Sequence, residues 1–260
     1  MNDVPLRPRL AYQDSEFLDS DAARPVRILS EYLAPLAALQ EQAVHDTIVF
    51  FGSARLRPDS PLGRYYAEAR ELARLVAEWS RTLPNGARRL VVCTGGGSGI
   101  MEAANRGAAD AGERTLGLNI SLPMEQVPNP YVTPELCFEF HYFFMRKLWF
   151  SHLARALIAF PGGFGTLDEV FSTLTLAQTG KLGRRPLILL YGRDYWREVV
   201  DFEALVRHGT ISKEDLELFC YADDPQEALG VLQAGLDVEP GDTTPAIAKS
   251  MCGPPPAARD

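Results

Sequence analysis

Three glycines, a hydroxyl and two acids fall within nine residues in Pro161-Gly162-Gly163-Phe164-Gly165-Thr166-Leu167-Asp168-Glu169. Glycine at 162, 163 and 165 admits backbone conformations closed to other residues and lets a ligand come close to the main chain. Thr166 can cap a helix that starts there or give its hydroxyl to a phosphate oxygen. Glu169 lies three residues along on the same helix face, so an anion site and a carboxylate stand side by side. The Thr-x-x-Glu spacing also fits a capping box, in which the carboxylate only accepts the Thr166 N–H.

A second loop, Thr94-Gly95-Gly96-Gly97-Ser98-Gly99-Ile100-Met101-Glu102, leads into a helix start whose unpaired N–H groups and positive dipole end favour an anion. It reads as a phosphate or carboxylate cradle, or as a bare strand-to-helix turn. Its spacing is not GxGxxG and no Gly-Lys-Ser/Thr follows, which argues against NAD binding and ATP hydrolysis. Arg146 and Lys147 interrupt the aromatic, apolar run from Tyr142 to Phe150. Arg146 either snorkels to solvent or forks onto a carboxylate or phosphate near Pro161, while Lys147 points about 100° further round the helix. Gly52-Ser53-Ala54-Arg55 supplies a third polar cluster, open between a site and simple helix capping and exposure. His141 and His152 sit beside aromatics with no Ser or Cys partner at a telling spacing, so triad chemistry is not supported.

Periodicity gives the elements that must hold these loops. A helix over Pro25 to Gln42 precedes a strand Thr47 to Phe51, and Leu62 to Ser80 has helical spacing of apolar residues. Strand Leu90 to Cys93 enters the second glycine loop, and an Ala-rich helix from Ile100 to Ala111 closes at Gly112. Strand Thr115 to Ile120 is followed by a loop punctuated by Pro123, Pro128, Pro130 and Pro134. Leu136 to Phe140 reads as strand, Phe143 to Leu153 as helix, and Ala156 to Phe160 as the strand that feeds Pro161. A helix Thr166 to Thr179, a strand Pro186 to Tyr191 and helices Tyr195 to Arg207, Lys213 to Leu218 and Pro225 to Ala234 complete the series. Such alternation predicts a single α/β domain over residues 25–237, an open, mostly parallel sheet with helices on both faces and ligands at the carboxyl ends of the strands. Residues 1–24, broken by Pro5 and Pro8, and residues 238–260, with Pro254-Pro255-Pro256, read as disordered tails.

The 260 residues carry a net charge of -8, which opposes a broad grip on nucleic acid or an anionic membrane. Four cysteines without a CxxC pair suggest neither zinc nor a disulfide framework. No signal-peptide h-region or apolar run of spanning length occurs, so a cytoplasmic location is expected.

Together these segments resemble the LOG-type phosphoribohydrolases, also labelled lysine decarboxylase-like, whose motifs are PGGxGTxxE, matched by residues 161–169, and an upstream GGGxxGxM, which Gly95-Gly96-Gly97-Ser98-Gly99-Ile100-Met101 approaches one residue shorter. The similarity spans roughly residues 45–195 and includes Gly52-Ser53-Ala54-Arg55 and Met145-Arg146-Lys147. It implies a Rossmann-like fold and hydrolysis of the N-glycosidic bond of a nucleoside 5′-monophosphate, AMP or a cytokinin-type N6-substituted AMP, to free base and ribose 5-phosphate. By that likeness Arg146 and Glu169 are the catalytic pair, Gly163, Gly165 and Thr166 hold the 5′-phosphate, and Gly95, Gly96 and Gly97 line the ribose and phosphate side. Gly52, Ser53, Glu102, Lys147, Gly162 and Phe164 complete the expected substrate-binding set. The scheme requires no metal and no cofactor, and the likeness implies a homodimer or larger homo-oligomer.

Two departures leave base preference open. Plant-type members read Met-His-x-Arg-Lys where this chain has Phe143-Phe144-Met145-Arg146-Lys147, and they carry Gly where this chain has Glu102. The decarboxylase label finds no support, since pyridoxal chemistry needs a Schiff-base lysine in a cofactor site and neither Lys147 nor Lys181 has that context. A non-catalytic nucleotide or molybdenum-cofactor carrier of the same fold is the alternative.

Overall fold

The computed structural model describes residues 9–83, 90–122 and 127–236. In chain order the elements are α1 (Ser15–Asp19), α2 (Arg24–Glu41), β1 (Asp46–Phe51), α3 (Arg64–Thr82), β2 (Leu90–Thr94), α4 (Ile100–Asp110), β3 (Thr115–Ile120) and β4 (Cys137–Phe140). They continue with α5 (Phe143–Leu153), β5 (Ala154–Ala159), α6 (Phe164–Gln178), β6 (Leu187–Tyr191), α7 (Arg193–Val199), α8 (Phe202–Arg207), β7 (Phe219–Ala222) and α9 (Pro225–Gly235). The seven strands form one sheet in the order β4-β3-β2-β1-β5-β6-β7, and each neighbouring pair is parallel.

β1, β2 and β3 are buried at every position, which is why they read as near-continuous apolar runs. Alternate residues feed two cores. Ile48 and Phe50 of β1 join the core under α3, α4 and α9, whereas Val49 and Phe51 join the core under α2, α5 and α6. The fold is therefore the Rossmann-like α/β arrangement expected. The chain runs outward from β1 to β4 and then returns to place β5 on the other side of β1. That reversal puts the topological switch point at the carboxyl ends of β1 and β5, where open α/β sheets leave a crevice.

α2 fixes the helix that carries Arg146. Pro35 lacks an N–H, so the Glu31 carbonyl four residues earlier has no helical partner; the Trp149 indole N–H donates to it at 3.0 Å. The Glu31 carboxylate accepts the N–H groups of His141 at 2.7 Å and Tyr142 at 3.2 Å, satisfying donors at the start of α5. Arg146 stands one turn further along.

Several segments differ from the sequence reading. Residues 11–23, placed in a tail, form a 3-10 turn, α1 and a second 3-10 turn. The Asp14 carboxylate caps α1, and the Arg27 guanidinium donates to the Leu18 and Ser20 carbonyls, tying the segment to α2. Residues 1–8, Pro123 and residues 238–260 lie outside the described residues. The helix expected over Tyr195 to Arg207 is two, because Val200 is extended and Asp201 caps a new start by accepting the Ala204 N–H. Lys213 to Leu218 is a 3-10 turn over Glu214–Leu218 rather than an α-helix, and β7 follows it directly.

Candidate active site

The loops after β1, β2 and β5 interlock through their main chains. The Ser53 N–H donates to the Pro161 carbonyl at 3.0 Å, and the Ser53 carbonyl accepts the Ile100 N–H at 3.1 Å. Glycines make this contact possible: a Cβ on Gly99 would overlap the Ser53 carbonyl, one on Gly162 would overlap the Thr166 hydroxyl, and one on Gly52 would lie 2.7 Å from the Ile100 side chain. Gly163 and Gly165 are different. A Cβ at either would meet nothing within 4 Å, and neither has a positive φ, so folding alone does not require glycine there. The room they leave faces the cleft.

That cleft measures about 700 Å³ and lies at the switch point. Of the expected site residues it is lined by Gly52, Ser53, Gly95, Arg146, Gly162, Gly163, Phe164, Gly165, Thr166 and Glu169. Sequence reasoning missed its apolar wall, which includes Phe51, Met101, Ile120, Phe143, Phe150 and Leu167, and also Tyr195, whose hydroxyl donates to the Gly162 carbonyl at 2.8 Å. Met101 carried a signal, being the last residue of the second glycine motif. The aromatic wall carried none beyond composition.

α6 begins two residues before Thr166, with Gly163 at its N-cap and no side-chain cap. Thr166 is thus the third helical residue and the capping box does not form. The first-turn N–H groups of a helix have no partner inside it, and those of Phe164, Gly165 and Thr166 belong to residues that line the cleft. Glu169 faces inward and is nearly buried, its side chain 6% exposed. Arg146 Nη2 lies 3.8 Å from Glu169 Oε1, within ion-pair range but beyond a hydrogen bond. Arg146 Nε and Glu169 Oε1 are buried and have no hydrogen-bond partner among the described residues. Burial pushes the Glu169 carboxyl up to about 7, because Arg146 and Lys147 at this separation pull it down by less than desolvation raises it. Burial also lowers the Arg146 pKa against the attraction of Glu169. The guanidinium lies 5.2 Å from the Phe143 ring centroid and 5.9 Å from that of Phe150, so aromatic faces support it.

Four expected residues lie away from the cleft. Gly96 and Gly97 turn their carbonyls to the Asn129 side-chain amide, at 3.1 and 2.9 Å, and the Gly96 N–H donates to the Thr94 hydroxyl at 2.9 Å. They shape the loop from beneath while Gly95 borders Arg146. Glu102 is turned towards α3 and accepts the Tyr66 hydroxyl at 2.8 Å. Lys147 pairs with Asp168 at 2.6 Å and donates to the Ser172 hydroxyl at 3.0 Å on the outer side of α5 and α6. Arg55 lines the cleft. Among the described residues no group of three or more His, Cys, Asp or Glu could hold a metal ion, and no helix is long and apolar enough to cross a membrane.

A protein-family model described as "Possible lysine decarboxylase" matches residues 101–232. A probable cytokinin riboside 5′-monophosphate phosphoribohydrolase of Oryza sativa subsp. japonica, LOG4, is 30% identical over 190 residues, covering 72% of this chain and 75% of its own. A second from the same organism, LOGL3, is 29% identical over 159 residues, covering 56% of this chain and 70% of the relative. The X-ray structure of the structural-genomics target TM1055 superposes with a TM-score of 0.51 at 20% identity, covering 73% of this chain and 99% of that one.

Proposed function

This chain belongs to the LOG family, and from that premise we propose that it is a phosphoribohydrolase that cleaves the N-glycosidic bond of a nucleoside 5′-monophosphate, AMP or an N6-substituted AMP. One observation carries the reading: a buried carboxylate and a buried guanidinium, each with an unsatisfied polar atom, share a cleft with an open glycine cradle at a helix start. The 5′-phosphate sits on the first-turn N–H groups of α6 between Gly163, Gly165 and Thr166, favoured by the helix dipole. The base packs against the apolar wall. Cleavage of the glycosidic bond builds positive charge on the ribose ring, which an ionised Glu169 stabilises while it orients the attacking water. Arg146 holds that carboxylate in place and offsets negative charge on the departing base. The release of base and ribose 5-phosphate needs no electron carrier.

The test is a panel of AMP, GMP, CMP and N6-isopentenyl-AMP, assayed for free base and ribose 5-phosphate. Turnover of at least one nucleotide is expected. Absence of free base from all four would end the reading, and tight binding without turnover would favour a carrier.

Composition supports a cytoplasmic protein. Of the residues lining the cleft, Phe143 is 51% exposed and Phe164 92%, and Phe144, next to Phe143 in the chain, is 54% exposed. Bulky aromatics gathered so openly suit contact with another subunit, and a homodimer or larger homo-oligomer is expected. A sedimentation coefficient of a monomer at micromolar concentration would contradict it.

A further inference from the structure

Two cations line the cleft among the described residues, and they differ in what surrounds them. Arg146 is enclosed, with Glu169 beside it and two phenylalanine rings around it. Arg55 is exposed and forms no ion pair with a described residue. Its main chain, by contrast, is tightly held. The Arg55 N–H donates to the Ser53 hydroxyl at 3.1 Å, and the Ser98 hydroxyl donates to the neighbouring Ala54 carbonyl at 2.9 Å. Through Ser53 the same turn is bonded to Pro161 and Ile100, so the base of the Arg55 side chain is fixed against both glycine loops. An exposed guanidinium on a fixed root, lining the same cleft as the anion cradle, is placed to reach a ligand bound there.

The charge balance points the same way. A phosphomonoester carries about -1.5 to -2 at neutral pH, and a helix start supplies only about half a positive charge. Arg146 is matched by Glu169 whenever that carboxylate is ionised. The remaining positive charge in the cleft is that of Arg55. We propose that Arg55 is the counter-ion of the substrate's 5′-phosphate and sets the preference of the site for nucleotides over nucleosides. The inference rests on the nucleotide reading above and adds a residue that reading does not use. Arg suits the task because its planar fork can meet two phosphate oxygens at once, a geometry lysine lacks.

The test compares wild type with Arg55→Ala and Arg55→Lys on AMP and adenosine, with inorganic phosphate as competitor. For Arg55→Ala, KM for AMP should rise about tenfold or more, the scale of one charge-assisted contact. kcat should change far less, and kcat/KM for adenosine should fall less than about threefold. Inorganic phosphate should inhibit the variant more weakly, and Arg55→Lys should recover part of the AMP loss. Equal losses on AMP and adenosine, or no change in KM for AMP, would overturn the proposal. Should wild type cleave neither substrate, the hydrolase reading is left to the four-nucleotide panel, and calorimetric binding of AMP and adenosine to the same proteins decides the role of Arg55 separately. Weaker AMP binding by Arg55→Ala then sustains it; unchanged AMP binding, or no AMP binding by wild type, sinks it.

Discussion

Glu169→Gln is expected to lower the rate of nucleotide cleavage by a factor of about 10² to 10⁴, the range for loss of one positioned acid–base group. The glutamine keeps the shape and removes the charge. Stability should move the other way. Folding raises the Glu169 pKa from an ordinary 4.5 to about 7, so the folded state binds this proton more tightly than the unfolded chain does. The resulting contribution to stability is fully present below pH 4.5 and is lost as pH rises through about 7. A glutamine, neutral at every pH, should match wild type near pH 4 and be more stable at pH 8, by on the order of 3 kcal/mol. Urea unfolding at the two pH values measures it.

The same carboxyl sets the acid limb of the pH profile. If the ionised form stabilises the ribosyl cation, kcat/KM rises with unit slope up to about pH 7. Glu169→Gln should remove that limb as well as the rate. A variant that kept the limb, or kept the rate, would assign the chemistry to another group. Opposite signs in stability and activity distinguish a functional carboxylate from a structural one, because a glutamate that merely held α6 in place would lower both when replaced.

Much of this arrangement is legible in the sequence because parallel strands covered on both faces must be apolar throughout. Thr115 to Ile120 was recovered without change, and β1, β2 and β5 within two residues, each of the last three ending near a glycine or proline loop. β7 escaped notice because it has four residues, sits at the sheet edge and is only partly buried until Ala222. Glu102 and Lys147 were misplaced for a common reason. Each adjoins a residue that does face the cleft, Met101 and Arg146, and one helical step turns the side chain by about 100°. The clamp of Glu31 on the start of α5 is out of reach of any local reading, since its partners His141 and Tyr142 are more than a hundred residues away. Motif spacing identifies loops that can touch a ligand; only the fold shows which of their atoms the protein already uses.

The glycines offer the second large effect, because three of them with similar sequence settings should respond in three ways. Gly99 has a φ of +67°, and a Cβ there would overlap the Ser53 carbonyl and lie 2.7 Å from the Ala54 carbonyl carbon. That backbone cannot retreat without breaking the Ile100 N–H bond to Ser53 and the Ser98 hydroxyl bond to Ala54. Gly99→Ala should therefore cost about 3 kcal/mol or more, the sum of left-handed strain and overpacking. It should also disable the cleft, whose two glycine loops meet at Ser53. Gly112 has a φ of +76° with nothing within 4 Å of its Cβ position, so Gly112→Ala bears the strain alone, about 1–2 kcal/mol, without loss of activity. Gly165 has neither constraint and sits in the first turn of α6, where alanine favours the helix. Gly165→Ala is expected to leave stability equal or slightly higher while raising KM for the nucleotide, because the new methyl occupies the cradle. Denaturation midpoints and kinetics on the three variants separate these cases. A Gly165→Ala protein that bound its nucleotide as well as wild type would place the phosphate elsewhere in the cleft.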